Sequence, residues 1–485
     1  MAPFAEQDPH DHADLGVLEA MGLLRTRQLS ATELLDSCLR RIEDRNGGAP
    51  SFGGASDAVN AWVRLYPERA EELARRADER LDREGDAAPL LCGIPIGLKD
   101  LYSVAGVPLT ASSRVLEGQV AAKDCTAWAR LRDRGMVLVG HTHTHEFAAG
   151  GTTDQVGNPW ALSRSAGGSS GGSAAALVTR MVPAALGTDT LGSLRIPSAL
   201  CGTSTIKATH GRVPIDGVVP LAPTLDHAGP MARTVTDCSA VLEALAAGGA
   251  QVSPLFPPPA PLGSLPREPR PGPHPLEGLT IAVTDRPERQ PLDPDVADGL
   301  ETARSACERL GARLVERPAP TELAASDMTI VLLTEMGVWH RDYVDRVEHY
   351  RPSIRELVEA SREMTDAAVY MGAQKRRAAF TAEWEEWFSA QGIDLVLEPT
   401  VPLVAPVRGA GYEPGHAGGQ GDPLIALTAT WDLTGFPVVA LPAGLGGRSE
   451  LPVGVSLIAP RGAERPLVQA AIDLQQRALP PPVLE

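Results

Sequence analysis

The sequence predicts an α/β protein, and three observations carry that expectation. Short apolar runs alternate with segments of helical period along most of the 485 residues. The alternation repeats late in the chain, where a strand over 279–283, a helix over 295–310 and a strand over 312–316 form a second β-α-β run. Hydrophobic residues make up 43% of the chain, enough for a substantial core, while 48 glycines and 43 prolines supply many turns without reaching a disordered composition.

Taken in order, residues 1–15 are polar and are expected to be a flexible N-terminal tail to a domain over 16–485. Ser30 and Glu33 form a capping box ahead of Leu34, Leu35, Cys38, Leu39 and Ile42, whose spacing marks a helix with one buried face. Residues 67–84 read as a charged helix that turns Leu73, Ala77 and Leu81 inward. A strand over 90–98 delivers Lys99 through Ile94, Ile96 and Leu98. A helix over 126–134 and a buried strand over 136–139 lead into His141, His143 and His145. On a strand, alternate histidines would share a face and suit a metal. Hydrogen-bonded loop histidines near a site are the stronger reading, and no metal is expected. Residues 147–153 read as a backbone wall, and the Pro-rich stretch 251–278 as a surface linker. Residues 326–390 are helical, and their aromatic stripe reads first as core. The Gly-rich loop 402–423 is a candidate lid. Strands over 395–400, 431–441 and 451–458 and a helix over 464–477 complete the chain.

Composition excludes several classes. A formal net charge of −17 argues against nucleic acid and against anionic membrane surfaces, which attract basic patches. Six cysteines without a C-x-x-C pair read as reduced thiols. The N-terminus has no basic and apolar leader, and no apolar run reaches a membrane span, so a cytoplasmic location is expected.

The stretch that carries chemistry is Gly-Gly-Ser-Ser-Gly-Gly-Ser over 167–173, followed by Gly-Thr-Asp-Thr-Leu-Gly-Ser-Leu-Arg over 187–195. A phosphate loop would need Gly-Lys-Ser/Thr, which is absent. A nucleophile elbow, G-x-S-x-G, fits at Ser169 and at Ser170, but it needs a buried strand directly before it, and 161–165 is a poor one. The third reading uses two serines and a lysine. A serine hydroxyl is a weak nucleophile until a base takes its proton. Lysine serves as that base only where burial lowers its pKa, and the apolar run around Lys99 provides for this.

Residues 167–176, 187–195, 202–207 and 211–214, with Gly-Ile-Pro-Ile-Gly-Leu-Lys-Asp over 93–100, together resemble the amidase signature family. The resemblance runs in order from about residue 29 to about residue 474. It implies a single large α/β/α layered domain on a central mixed, twisted sheet, with the site at one edge, a pocket cover over 326–423, and no cofactor. By the same resemblance, Ser193 is the acylated nucleophile, Lys99 the base, and Ser169 the bridging serine behind a cis peptide bond. The N–H groups of Thr190, Leu191, Gly192 and Ser193 match the oxyanion hole. Asp189, Arg195 and Ser170 are expected to support the loop, and Ser173 to cap the following helix. The expected pocket comprises Gly150, Gly151, Thr152, Leu191, Met336, Trp339 and Tyr343. Leu191 departs from the family's usual glycine; a leucine is disfavoured at positive φ and narrows the acyl pocket. The implied activity is hydrolysis of the C–N bond of a linear carboxamide. A small-molecule carbamate (urethane) or ester is the close alternative, and an amidotransferase-type subunit working in a complex is the alternative of another class. A homodimer is common in the family.

Overall fold

Strands β1 (Trp62–Leu65), β2 (Pro95–Lys99) and β3 (Val137–Thr142) begin the sheet, and the last two are buried along their whole length. Strands buried in this way need cover on both faces. The computed structural model describes residues 11–249, 256, 258–409 and 422–484. Within them follow β4 (Gly157–Asn158), β5 (Ala161–Ser165), β6 (Ala184–Asp189), β7 (Ser204–Lys207), β8 (His227–Ala232), β9 (Thr280–Thr284), β10 (Arg313–Arg317), β11 (Leu395–Pro399), β12 (Val438–Leu445) and β13 (Pro452–Ile458). Eleven of these form one sheet in the order β1-β3-β2-β6-β8-β7-β12-β13-β11-β9-β10, with helices on both sides. The sheet is mixed: β3, β2 and β6 are parallel neighbours, as are β11, β9 and β10, and an antiparallel block joins them.

Parallel pairing brings the C-terminal ends of β2 and β6 side by side, so Lys99 emerges next to Thr188. That position is inside the sheet, with β3 on one flank and β8 on the other, and corrects the expected edge location.

The helices largely follow the sequence pattern. Ala31–Arg45 starts behind its capping box, with Ser30 N–H donating to Glu33 Oε2 at 2.9 Å, and Pro67–Glu84 and Glu464–Arg477 have the expected bounds. Gly171–Val178 and Arg195–Cys201 are buried at every residue, which small side chains permit. Ser173 is no cap. It lies inside the first of these helices, and its Oγ meets Thr142 Oγ1 at 2.8 Å and Leu186 O at 3.0 Å, tying the helix to β3 and β6.

Other expectations shift. Residues 161–165 do form a strand, but β5 pairs with β4 and bridges Val407 through Arg164, apart from the main sheet. Residues 11–15 are packed, because Arg41 pairs with both Asp11 and Asp14. Within the expected cover come the helices Ala325–His340, Arg341–His349, Pro352–Glu363 and Ala367–Gln391; β11 then belongs to the main sheet, and Asp422 beyond it lines the same cavity as Leu332 and Met336. Residues 410–421 of the candidate lid, and 250–255 and 257 of the linker region, lie outside the described residues. No helix among the described residues is long and apolar enough to cross a membrane.

Arg286, 1% exposed, joins this sheet to the segment facing the site. It donates to both oxygens of Glu398 on β11 (2.9 and 2.7 Å) and to Thr430 Oγ1 (2.8 Å). Replacing one partner strands the other as a buried charge. Arg286→Met is therefore expected to lose about 3–5 kcal/mol of stability, measured by urea unfolding.

Candidate active site

Lys99 ends β2 with no exposed surface, and its amine has two short contacts. Nζ donates to Ser169 Oγ at 2.7 Å and to Thr188 Oγ1 at 2.8 Å. Burial draws the amine down from the ordinary lysine range to about 7, against the raising pull of Asp189 and Asp226. Thr188 escaped the sequence reading, although a hydroxyl at the end of a buried strand, on the same face as Leu186, was the available signal.

Ser169 follows a cis peptide bond from Gly168. Its carbonyl accepts from His145 N–H at 3.0 Å and from Thr153 Oγ1 at 3.2 Å. Gly168 has no room for a side chain, because a Cβ would run into the carbonyl of Thr152. Ser170 braces the end of β6, its Oγ donating to Thr188 O at 3.3 Å. Ser170 N–H donates to Ser193 O at 3.3 Å and links the two serine segments.

The 189–195 turn is held by a buried ion pair. Arg195 Nε donates to Asp189 Oδ2 at 2.9 Å, while Nη2 reaches Asp189 Oδ1 at 3.1 Å and Asp432 Oδ2 at 2.5 Å. Burial alone would raise the Asp189 carboxyl, but the Arg195 guanidinium holds it below the usual carboxylate range. Asp189 Oδ1 also accepts the Gly192 N–H at 2.5 Å. That donor is spent on the turn, which corrects its assignment to the oxyanion hole. Thr190, Leu191 and Ser193 border the cavity instead. Leu191 does not take a positive φ, so leucine meets no backbone penalty, whereas Gly192 has φ +135°.

Ser193, 7% exposed, opens onto an apolar cavity. One wall is the 148–151 backbone, turned inward by positive φ at Phe147 (51°) and Ala148 (62°); the cover adds Leu332, Leu333, Met336 and Leu357. Of the residues named for the pocket, Gly150, Gly151, Leu191 and Met336 line this cavity, and Thr152, Trp339 and Tyr343 do not. Thr152 lies beneath Gly168, and the Trp339 ring packs on Phe147 at 5.3 Å and on Tyr343 at 4.7 Å. Asp422 is the carboxylate on the rim, raised by burial to about 6. The sequence reading missed it, as it missed Asp226, which accepts Thr190 Oγ1 at 2.6 Å.

The three histidines stand apart. His141, on β3, meets Tyr66 OH at 2.8 Å and Tyr102 O at 3.0 Å. His143 meets Ser51 O at 2.9 Å. No group of three or more metal-ligating side chains occurs among the described residues. A second buried lysine, Lys207, sits behind the 189–195 turn and donates to Phe436 O at 2.6 Å; burial draws it too down to about 7.

A desolvated amine on one serine, with a second serine facing an apolar cavity, is an arrangement suited to nucleophilic acyl transfer. A family model for amidases matches residues 52–468, and the chain belongs to the amidase signature family. It is 33% identical to a glutamyl-tRNA(Gln) amidotransferase subunit from Anaeromyxobacter dehalogenans, over 96% of this chain and 97% of the relative. Among solved structures, an amidase superposes with a TM-score of 0.80 at 29% identity, covering 96% of this chain and 100% of the other. Peptide amidase from Stenotrophomonas maltophilia superposes with a TM-score of 0.78 at 26% identity, covering 99% of each chain.

A Cβ at position 192 would collide with Thr428 Oγ1 and lie 2.8 Å from Ile196 Cδ1, at a φ that L residues avoid. Gly192→Ala is expected to displace the turn that carries Ser193 and so to slow its labelling by a fluorophosphonate about 100-fold or more.

Proposed function

We propose that the protein hydrolyses the C–N bond of a small carboxamide through an acyl-enzyme on Ser193. The observation that carries this reading is the 2.7 Å contact between the buried Lys99 amine and Ser169 Oγ, on a chain segment bonded to Ser193. Neutral Lys99 draws the proton of Ser169, which takes that of Ser193 as its oxygen attacks the carbonyl. The N–H groups of Thr190, Leu191 and Ser193 receive the developing oxyanion. The ammonium of Lys99 then returns the proton to the leaving nitrogen, and water repeats the attack on the acyl-enzyme.

The cavity walls favour an apolar acyl group. A carbamate or ester presents the same carbonyl, and a side-by-side panel of aryl amides, carbamates and esters ranks the three. All six cysteines are buried and unpaired, which suits a reducing compartment such as the cytoplasm.

The relatives named as amidotransferase subunits favour a second reading, in which the chain cleaves an amide within a complex. Against it, no lysine, arginine or histidine is among the described residues that line the cavity, so a free amino-acid carboxylate would lack a counter-charge. Purification from the native cell decides between them. A chain isolated alone or as a homodimer, active on apolar amides, supports the first reading; stoichiometric partner proteins and glutamine hydrolysis support the second.

Ser193→Ala is expected to lower amide hydrolysis by about 10⁴-fold or more. In the wild type, kcat/KM should rise with pH through about 7, because only the neutral amine of Lys99 accepts a proton. A rate that is flat from pH 5 to pH 9, or an active Ser193→Ala protein, contradicts the assignment.

A further inference from the structure

Proton transfer to Lys99 creates a cation on a fully buried amine, and something must balance it. The charged and titratable groups around the amine are few. Asp100 follows it in the chain and is occupied by Thr110 Oγ1 at 2.5 Å and Ser112 N–H at 2.8 Å. His145, beyond β3, is held neutral by burial, its pKa drawn down to about 4. Asp189, at the end of β6, is already matched by Arg195.

Asp226, preceding β8, is different. Its carboxylate accepts from Thr190 Oγ1 at 2.6 Å, Leu221 N–H at 2.9 Å and Ala222 N–H at 3.2 Å, all neutral donors. Together with Thr188, the hydroxyl bonded to Lys99, it lines a small pocket whose other lining residues are apolar, Leu101, Val219 and Leu221 among them. Charges interact strongly across such a medium. The loop that carries Asp226 is fixed to the cover, since Glu335 accepts Thr224 N–H at 2.8 Å and Thr224 Oγ1 at 2.5 Å. From that side the charged groups are Glu335 and Arg377, whose Nη2 donates to Thr224 O at 2.8 Å, and the like charge of Glu335 adds to the burial that raises the Asp226 carboxyl to about 6.

We propose that Asp226 is the counter-charge for the Lys99 ammonium formed during acylation, and the positioning residue that anchors Thr190 beside the oxyanion. The proposal rests on Lys99 being the base. As the proton passes from Ser193 to Ser169 and from Ser169 to Lys99, the amine gains one positive charge and the substrate oxygen one negative charge. Asp226 lowers the energy of the first, and returning the proton to the leaving nitrogen restores the starting charges.

The test is the rate at which an alkyl fluorophosphonate labels Ser193 between pH 5 and pH 9. Asp226→Asn keeps the shape and removes the charge, which makes the ammonium less stable. The rising limb should move to lower pH by about half a unit or more, and the plateau rate should fall about tenfold. Thr190→Val should lower the plateau and leave the limb in place. An Asp226→Asn limb that coincides with the wild-type limb overturns the proposal. Should that variant not fold, ¹³Cγ-aspartate NMR of the wild type and of Lys99→Met reads the same coupling in reverse. Removing the cation should raise the Asp226 titration by about half a unit or more, and an unmoved titration overturns the proposal. Labelling that persists in Ser193→Ala would instead overturn the acyl-enzyme reading, so the two failures are distinguishable.

Discussion

The desolvated amine of Lys99, held between Ser169 Oγ at 2.7 Å and Thr188 Oγ1 at 2.8 Å, sets conditions that the rest of the chain meets. An ammonium at that position would lose its hydration without a paired carboxylate in contact, so the neutral form becomes accessible near neutral pH. The dryness comes from topology. Lys99 lies at the end of β2, between β3 and β6, and the fully buried helix Gly171–Val178 packs on β2.

The buried ions have a positioning role. Arg195, Asp189 and Asp432 are all unexposed, and such networks add little net stability compared with an apolar core. What they supply is geometry. Asp189 fixes the Gly192 N–H, Arg195 donates to Thr428 O at 3.0 Å, and Thr428 Oγ1 in turn donates to Leu191 O at 2.5 Å. The same segment is bound by Arg286 through Thr430. The turn carrying Ser193 is thus fixed both by its own neighbours and by residues more than two hundred positions away in the chain.

Much of this was legible in the sequence, for identifiable reasons. The strand before Lys99, the capping box at Ser30 and the two serine segments are local signals, and the structure places each near its expected position. The groups that touch the machinery from a distance were not legible. Thr188 and Asp226 lie near strand ends, Asp422 in a loop and Asp432 in the short helix Ala429–Leu433, and their neighbours are set by tertiary packing, which spacing along the chain does not encode. Trp339 and Tyr343 were misplaced for a related reason: an aromatic on a cover helix can face the cavity or the helix beneath, and Phe147 supplies the better partner. The Gly192 N–H was assigned by analogy to a neighbouring role, and only the position of the Asp189 carboxylate shows where it points.

The chain contains four lysines, of which Lys123 and Lys375 are exposed and Lys99 and Lys207 buried. That scarcity makes the central claim directly measurable by NMR of ¹³Cε-lysine protein, with Lys99→Met and Lys207→Met variants to assign the two buried signals. The account predicts that the Lys99 signal titrates near 7 in the folded protein. A Lys99 signal that stays charged up to the ordinary lysine range near 10.5 would contradict it.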